Sequence, residues 1–252
     1  MSTEALTRRA AVQKRVAIVQ SNYIPWKGYF DLIALADEFI LLDDVQYTRR
    51  DWRNRNRIKT PEGLVWLSIP VMTRGRYEAR IRDIEIADRE WAARHLRMIR
   101  LHYAHAACAG EMMDFVAGLY ERAREISHLS EINRLFLSAI CTFLGIRTLI
   151  RRSDEFEIAG GRNQRLVSLC NQTGASIYLS GPSARSYVDE SAFRRSGVEV
   201  EYADYSGYPE YRQQFPPFEH GVSIIDLLMS EGTDAPRFMK HVRSDRSGDD
   251  AR

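Results

Sequence analysis

Hydrophobic positions in this chain switch between two periods. Arg15-Val16-Ala17-Ile18-Val19 and Glu38-Phe39-Ile40-Leu41-Leu42 are short apolar runs, as expected of strands buried on both faces of a parallel sheet. Between them, residues 29–36 carry apolar side chains at helical spacing. Arg57-Ile58-Lys59 and residues 64–69 flank Thr60-Pro61-Glu62-Gly63, which predicts a hairpin, and residues 81–86 alternate with period two, which predicts a half-exposed strand. From residue 89 to 145 the period becomes helical, predicting helices over 89–103, 107–126 and 130–144. Ser130 with Asn133 would start the last of these, and Gly145 would stop it in the left-handed conformation. Strand and helix then alternate: strands at 147–150, 176–179 and 198–202, helices through 166–171, 184–195 and 222–229. The expected fold is α/β, a Rossmann-like mostly parallel sheet with a helical insertion in the middle of the chain. One domain over 14–240 is expected, with the insertion at about 89–145 and residues 1–13 and 242–252 as disordered tails.

A chain of 252 residues, 44% hydrophobic and 28% charged, is long enough to bury one substantial core. Its formal net charge of +2 calls for neither nucleic acid nor a membrane surface, so neither is expected as a partner. No run reaches the roughly 20 apolar residues of a membrane span, and the opening residues lack the apolar core of a signal peptide, so a cytoplasmic location is expected. Cys108, Cys141 and Cys170 are odd in number and lie in apolar, helical surroundings, which fits buried thiols better than disulfides. Neither Cys-x-x-Cys nor His-Glu-x-x-His spacing occurs, and no metal is expected. His95, His102 and His105 would share a helix face, where packing or solvent contact is the favoured role.

Charge is local. Residues 49–59 hold Arg49, Arg50, Arg53, Arg55, Arg57 and Lys59 against the single acid Asp51, with Trp52, Asn54 and Asn56 interleaved. Arginine's planar fork binds phosphate or carboxylate through two hydrogen bonds, so Arg49, Arg55 and Arg57, with Asn56 and a stacking Trp52, are candidates for holding a diphosphate, a pantetheine phosphate or an acidic carrier-protein surface. The plainer reading is a solvated run of charge.

Three other segments end predicted strands. After the first, Gln20 and Asn22 offer amides beside the rings of Tyr23, Trp26 and Tyr29, a surface suited to a sugar or nucleobase unless the rings are core anchors. After the second, Asp43 and Asp44 point to opposite faces, so one of them reaches a crevice as a general base, a ribose anchor or a Mg²⁺ ligand; salt bridges to nearby arginines are the alternative. After a later strand, Ser180-Gly181-Pro182-Ser183 precedes a helix, where amides and the hydroxyls of Ser180 and Ser183 can cradle an anion. A serine nucleophile is disfavoured because the histidines lie in the helical insertion or near the end of the chain and no elbow sequence is present. Tyr205, Tyr208, Tyr211, Gln213 and Gln214 form a second aromatic and amide cluster suited to closing a pocket. Asp226, in an apolar helix, needs a buried partner, for which an arginine is expected.

Gln20 with Tyr23-Ile24-Pro25-Trp26-Lys27-Gly28-Tyr29-Phe30, then Leu42-Asp43-Asp44-Val45-Gln46-Tyr47 and Asn54-Arg55-Asn56-Arg57-Ile58, resemble the WbqC-like family of bacterial polysaccharide and secondary-metabolite gene clusters. Tyr178-Leu179-Ser180-Gly181 with Tyr187, and Ser223-Ile224-Ile225-Asp226-Leu227-Leu228, extend the resemblance over most of the chain. This chain departs from the family pattern at Ser21, where proline is general, and at Tyr208-Pro209, where His-Pro is common. The resemblance implies work in O-antigen or amino-sugar assembly. It leads to a transferase that moves an acyl or aminoacyl group, from a thioester or other activated donor, to an amine of a nucleotide-linked sugar or similar acceptor. Gln20 and Asp43 or Asp44 are its expected catalytic residues, and Tyr187, Tyr211 and Gln213 join the binding set. Two alternatives stand beside it. One is a non-catalytic module that binds a carrier protein or nucleotide sugar. The other is a nucleotidyltransferase-like enzyme, disfavoured because the first loop lacks the paired histidines of adenylyl transfer.

Overall fold

The computed structural model describes residues 13–242, and most of the two expected tails lies outside that range. Within it, five strands form a parallel sheet in the order β5-β2-β1-β6-β7: β1 (Arg15–Val19), β2 (Glu38–Leu41), β5 (Leu149–Arg152), β6 (Ile177–Ser180) and β7 (Glu199–Tyr202). The apolar runs are buried on both faces for a visible reason. Ala17, Phe39, Leu41 and Leu179 turn towards the larger core, which includes α1 (Lys27–Leu35), α2 (Trp91–Tyr103), α3 (Ala109–Ala123), α4 (Leu129–Phe143) and α7 (Ile224–Glu231). Val16, Ile18, Ile40 and Tyr178 turn the other way, against α5 (Arg162–Thr173) and α6 (Glu190–Arg195). These seven are the α-helices of the described residues, and none is long and apolar enough to cross a membrane.

The chain runs outward from β1 to β2 and β5, then returns to β6 on the other side of β1 and ends at β7. At the carboxyl ends of β1 and β6 successive connections therefore part to opposite faces, and a crevice opens there. A separate antiparallel hairpin, β3 (Arg55–Thr60) and β4 (Gly63–Ser68), joins at the predicted Thr60–Gly63 turn.

Five expectations change. Residues 81–86 form a 3-10 turn over Ile81–Asp83 rather than a strand, because Ile81 and Ile84, three apart, both enter the core. The helix expected over 184–195 is two pieces, a 3-10 turn at Pro182–Ser186 and α6, because the Asp189 carboxylate accepts from Ser191 N and Ala192 N and starts a new helix. Ser130 does not cap α4: the helix begins at Leu129, and the Ser130 hydroxyl donates to Asp43 instead. Val242, assigned to the tail, packs into the larger core, and Cys108 is only half-buried.

Polar groups thread that core. Tyr23 Oη lies 2.9 Å from His95 Nδ1 and 2.5 Å from Tyr120 Oη, and His95 Nε2 is 3.2 Å from the Ser68 carbonyl. Since a carbonyl only accepts, Nε2 carries the proton and Nδ1 accepts from Tyr23. Burial holds the ring neutral, lowering its pKa from 6.5 to about 4. Below the ordinary histidine value the unfolded chain takes up a proton that the folded protein refuses. This contribution to stability is therefore complete above pH 6.5 and is lost as pH falls towards about 4, in total on the order of 3 kcal/mol. Buried Asp43 and Asp226, whose pKa values are raised by burial, act with the opposite sign, so the comparison needs a variant. Urea unfolding of wild type and His95→Phe across that window should show a flatter acid limb in the variant; parallel curves would refute the assignment.

Candidate functional site

The loop after β1 is built from the core outward. Ile24 takes φ 36°, a left-handed conformation that a β-branched residue adopts only under constraint, at a cost of about 1–3 kcal/mol. Three contacts impose it. The Ile24 side chain is fully buried, Asn56 Nδ2 donates to the carbonyls of Tyr23 (3.1 Å) and Ile24 (2.9 Å), and Ile224 N donates to the Pro25 carbonyl at 2.9 Å. The chain then turns into α1, where the Trp26 indole lies over Gly28 so closely that a Cβ at position 28 would overlap it. Trp26 meets Tyr205 and Tyr208 edge to face, with centroids 5.1 and 5.5 Å apart.

A cleft of about 620 Å³ opens beside this loop, lined by Asn22, Pro25, Trp26, Trp52, Asn56, Arg57, Tyr205, Gly207, Tyr208, His220 and Gly221. Its walls are the loop after β1, the start of β3 and the long segment between β7 and α7. Arg57 Nη2 donates to the Gly221 carbonyl at 2.9 Å, while its Nε and His220 Nδ1 are buried with no hydrogen-bond partner among the described residues. Burial, then the charge of Lys27, lowers the His220 pKa, so the ring is neutral at pH 7 and able to accept a proton. Lys27 is itself buried, which brings its pKa down to about 8; its Nζ donates to the Pro209 carbonyl at 2.8 Å and lies 5.1 Å from the ring centroids of Tyr208 and Tyr211.

Of the residues singled out in the sequence, the cleft gathers Asn22, Trp26, Trp52, Asn56 and Arg57, together with Tyr205 and Tyr208 of the second aromatic cluster. The others lie elsewhere. Asp43 is buried at 4% exposure, accepting from Ser21 N at 2.9 Å and from the Ser130 hydroxyl, and so joins the β1 loop to α4. Asp44, on the opposite side as alternation required, accepts from Ser153 Oγ at 2.7 Å and pairs with Arg82 at 2.6 Å. Tyr29 Oη donates to the Gln20 carbonyl at 2.9 Å, and Tyr23 belongs to the core network. Arg49 donates to the Thr73 carbonyl, and Arg55 to that of Arg50. Ser180 is buried with its Oγ 3.2 Å from Tyr178 Oη, Ser183 is exposed, and Tyr187 lies under the Arg162 guanidinium at 4.9 Å. Gly181 alone of that loop approaches the cleft wall, with Tyr205 Oη 3.5 Å from where its Cβ would stand.

Among the described residues no arginine holds Asp226. Its carboxylate accepts from Tyr103 Oη (2.7 Å), Tyr211 Oη (2.6 Å) and Gln213 Nε2 (2.9 Å), so Tyr211 and Gln213 serve it rather than the cleft. The residue that sequence reasoning passed over is His220. It sits in no motif, and its one sequence signal is its place two residues after the aromatic Phe215-Pro216-Pro217-Phe218 run.

The family model of the WbqC-like protein family matches residues 20–238. The chain is similar to the uncharacterized protein Rv1507c of Mycobacterium tuberculosis, with 50% identity over 230 residues that cover 91% of this chain and 99% of that protein. No solved structure matches.

Removing the two donors that fix the strained loop should be costly. Asn56→Ala leaves the Tyr23 and Ile24 carbonyls without partners in a buried place, so a loss of about 1–3 kcal/mol is expected, measured by denaturant unfolding. A change below a few tenths of that would show that the loop holds its shape without Asn56.

Proposed function

The chain belongs to the WbqC-like protein family, and we propose that it is a transferase of polysaccharide or secondary-metabolite assembly, moving an acyl or aminoacyl group from a thioester or similarly activated donor to the amine of a nucleotide-linked amino sugar or similar acceptor. One observation carries this reading: the 620 Å³ cleft joins aromatic walls to Arg57 and His220, each keeping a buried nitrogen that the described protein does not satisfy. Reading the sheet as Rossmann-like, in a single domain with α2, α3 and α4 inserted ahead of β5, supports the same place, because such sheets bind ligands at their carboxyl rim.

In this reading the Arg57 guanidinium holds phosphate, and Trp26, Tyr205 and Tyr208 receive the apolar face of a sugar ring. Neutral His220 takes the proton as the amine nitrogen attacks the donor carbonyl. The new C–N bond forms, the C–S bond breaks, and the departing thiolate receives the proton from the imidazolium. No cysteine nucleophile is needed. Burial pushes the Cys141 and Cys170 thiols up to about 12, away from the reactive thiolate. Gln20, Asp43 and Asp44 act in this reading by fixing loops, not by moving protons.

A non-catalytic binding module is the second reading. It is favoured by the absence of any carboxylate among the described residues that line the cleft.

Thermal unfolding with UDP-linked amino sugars and acyl thioesters, followed by product analysis, separates these. An acceptor at a hundred times its dissociation constant should stabilise the protein by about 2.7 kcal/mol. Arg57→Ala should abolish that gain, whereas His220→Asn should keep it and lower transfer at least about a hundredfold. Binding without product in the wild type would leave the binding module; no stabilisation by any of these compounds would remove both readings.

A further inference from the structure

The β3–β4 hairpin has an unusual outer face. Its register pairs Arg57 with Trp66, and alternation puts Arg55 on the same side, while Asn56 and Ile58 turn inward and are buried. The Arg55 guanidinium lies 4.1 Å from the Trp66 ring centroid. Trp52, from the loop that leads into the hairpin, sets its ring 5.4 Å from that of Trp66 at an interplanar angle of 39°, and the Arg57 guanidinium is 5.6 and 5.7 Å from the two rings. Both indoles keep a substantial part of their surface in water, Trp52 at 39% and Trp66 at 42% exposure.

Two part-exposed tryptophans side by side are an unfavourable arrangement for a surface with no ligand, since each leaves apolar ring area in water. Because the rings are tilted, neither fills the face of the other. Trp52 and Arg57 also line the cleft, so the indole pair is the outer continuation of one cleft wall. A planar base would gain stacking on indole here, and a phosphate attached to it would meet arginine within the same few ångströms.

We propose that the Trp52–Trp66 pair is the seat of a nucleotide base, so that the cleft's ligand lies with its base at the mouth and its phosphates turned inward to Arg57. This rests on the nucleotide-linked reading given above and assigns which end of that ligand lies where. Stacking on a π-face is tolerant of base identity, and this hairpin face presents indole and guanidinium rather than amides that would read a base edge. Uridine and adenosine diphosphates should therefore bind with similar affinity, and selectivity should come from the group deeper in the cleft.

Titration calorimetry and tryptophan emission on the full chain, with UDP, ADP and inorganic pyrophosphate as probes, test this. UDP and ADP should bind the wild type within a few-fold of one another and quench emission. Trp52→Leu and Trp66→Leu should each weaken both nucleotides by about tenfold and reduce the quenching, with pyrophosphate affinity unchanged. Trp66→Phe, which keeps a ring, should restore most of the nucleotide affinity and guards against a misfolded leucine variant. Equal UDP affinity in wild type and both leucine variants would overturn the base seat and leave the transferase reading standing. If the wild type bound neither nucleotide, the base seat and the nucleotide-linked acceptor would fall together.

Discussion

Cationic side chains that donate to main-chain carbonyls hold this structure's functional wall in place. The segment between β7 and α7 runs without helix or strand, and its carbonyls are met by cationic side chains from outside it. Lys27, at the start of α1, reaches Pro209; Lys59 on β3 reaches Pro217; Arg57 reaches Gly221; and Lys240 reaches Asp204 and Ser206. Lys27 and Lys59 are 3% and 4% exposed, and burial lowers both their pKa values, so each accepts a desolvation cost for its position. Carbonyl dipoles offset part of that cost, and for Lys27 the faces of Tyr208, Tyr211 and Phe218 add to it. These contacts, with the packing of Tyr205 and Tyr208 on Trp26, fix the segment that forms one side of the cleft.

Buried carboxylates do comparable work. Asp226 gathers Tyr103, Tyr211 and Gln213, and Tyr103 Oη in turn accepts from Lys59 N at 3.1 Å, so α2, α7, the hairpin and the irregular segment share one polar centre. Asp43, through Ser21 and Ser130, does the same for the β1 loop and α4, and Asn133 extends it by donating to Ser21 Oγ at 3.0 Å and to the Arg53 carbonyl at 2.9 Å. Ser21 is thus a hydrogen-bonding member of that centre. Both the Ser21 amide and its hydroxyl are used.

The parallel strands and the long helices could be read from the chain, because an apolar run or a 3.6-residue period reports directly which faces must leave water. The hairpin could be read as well, from proline and glycine in its turn. Most of the candidate site was legible for a related reason. Asn22, Trp26, Trp52, Asn56, Arg57, Tyr205 and Tyr208 belong to segments too dense in rings, amides and guanidinium groups for ordinary turns, and these seven line the cleft. Asp43, Ser180, Tyr211 and Gln213 looked the same in sequence but face inward, because a polar residue at a strand end or in a loop serves equally as a buried anchor.

What the sequence determined by itself was the alternation of elements and the local chemistry of each loop, since both depend on neighbours within a few positions. Only the tertiary structure decided which loops share a cavity, and it placed His220 beside Arg57 across 163 residues of chain. It also decided whether a given carboxylate meets solvent, a hydroxyl or an arginine. Those outcomes turn on the return of the chain across β1 and on hydrogen bonds between distant segments, and no local pattern records either.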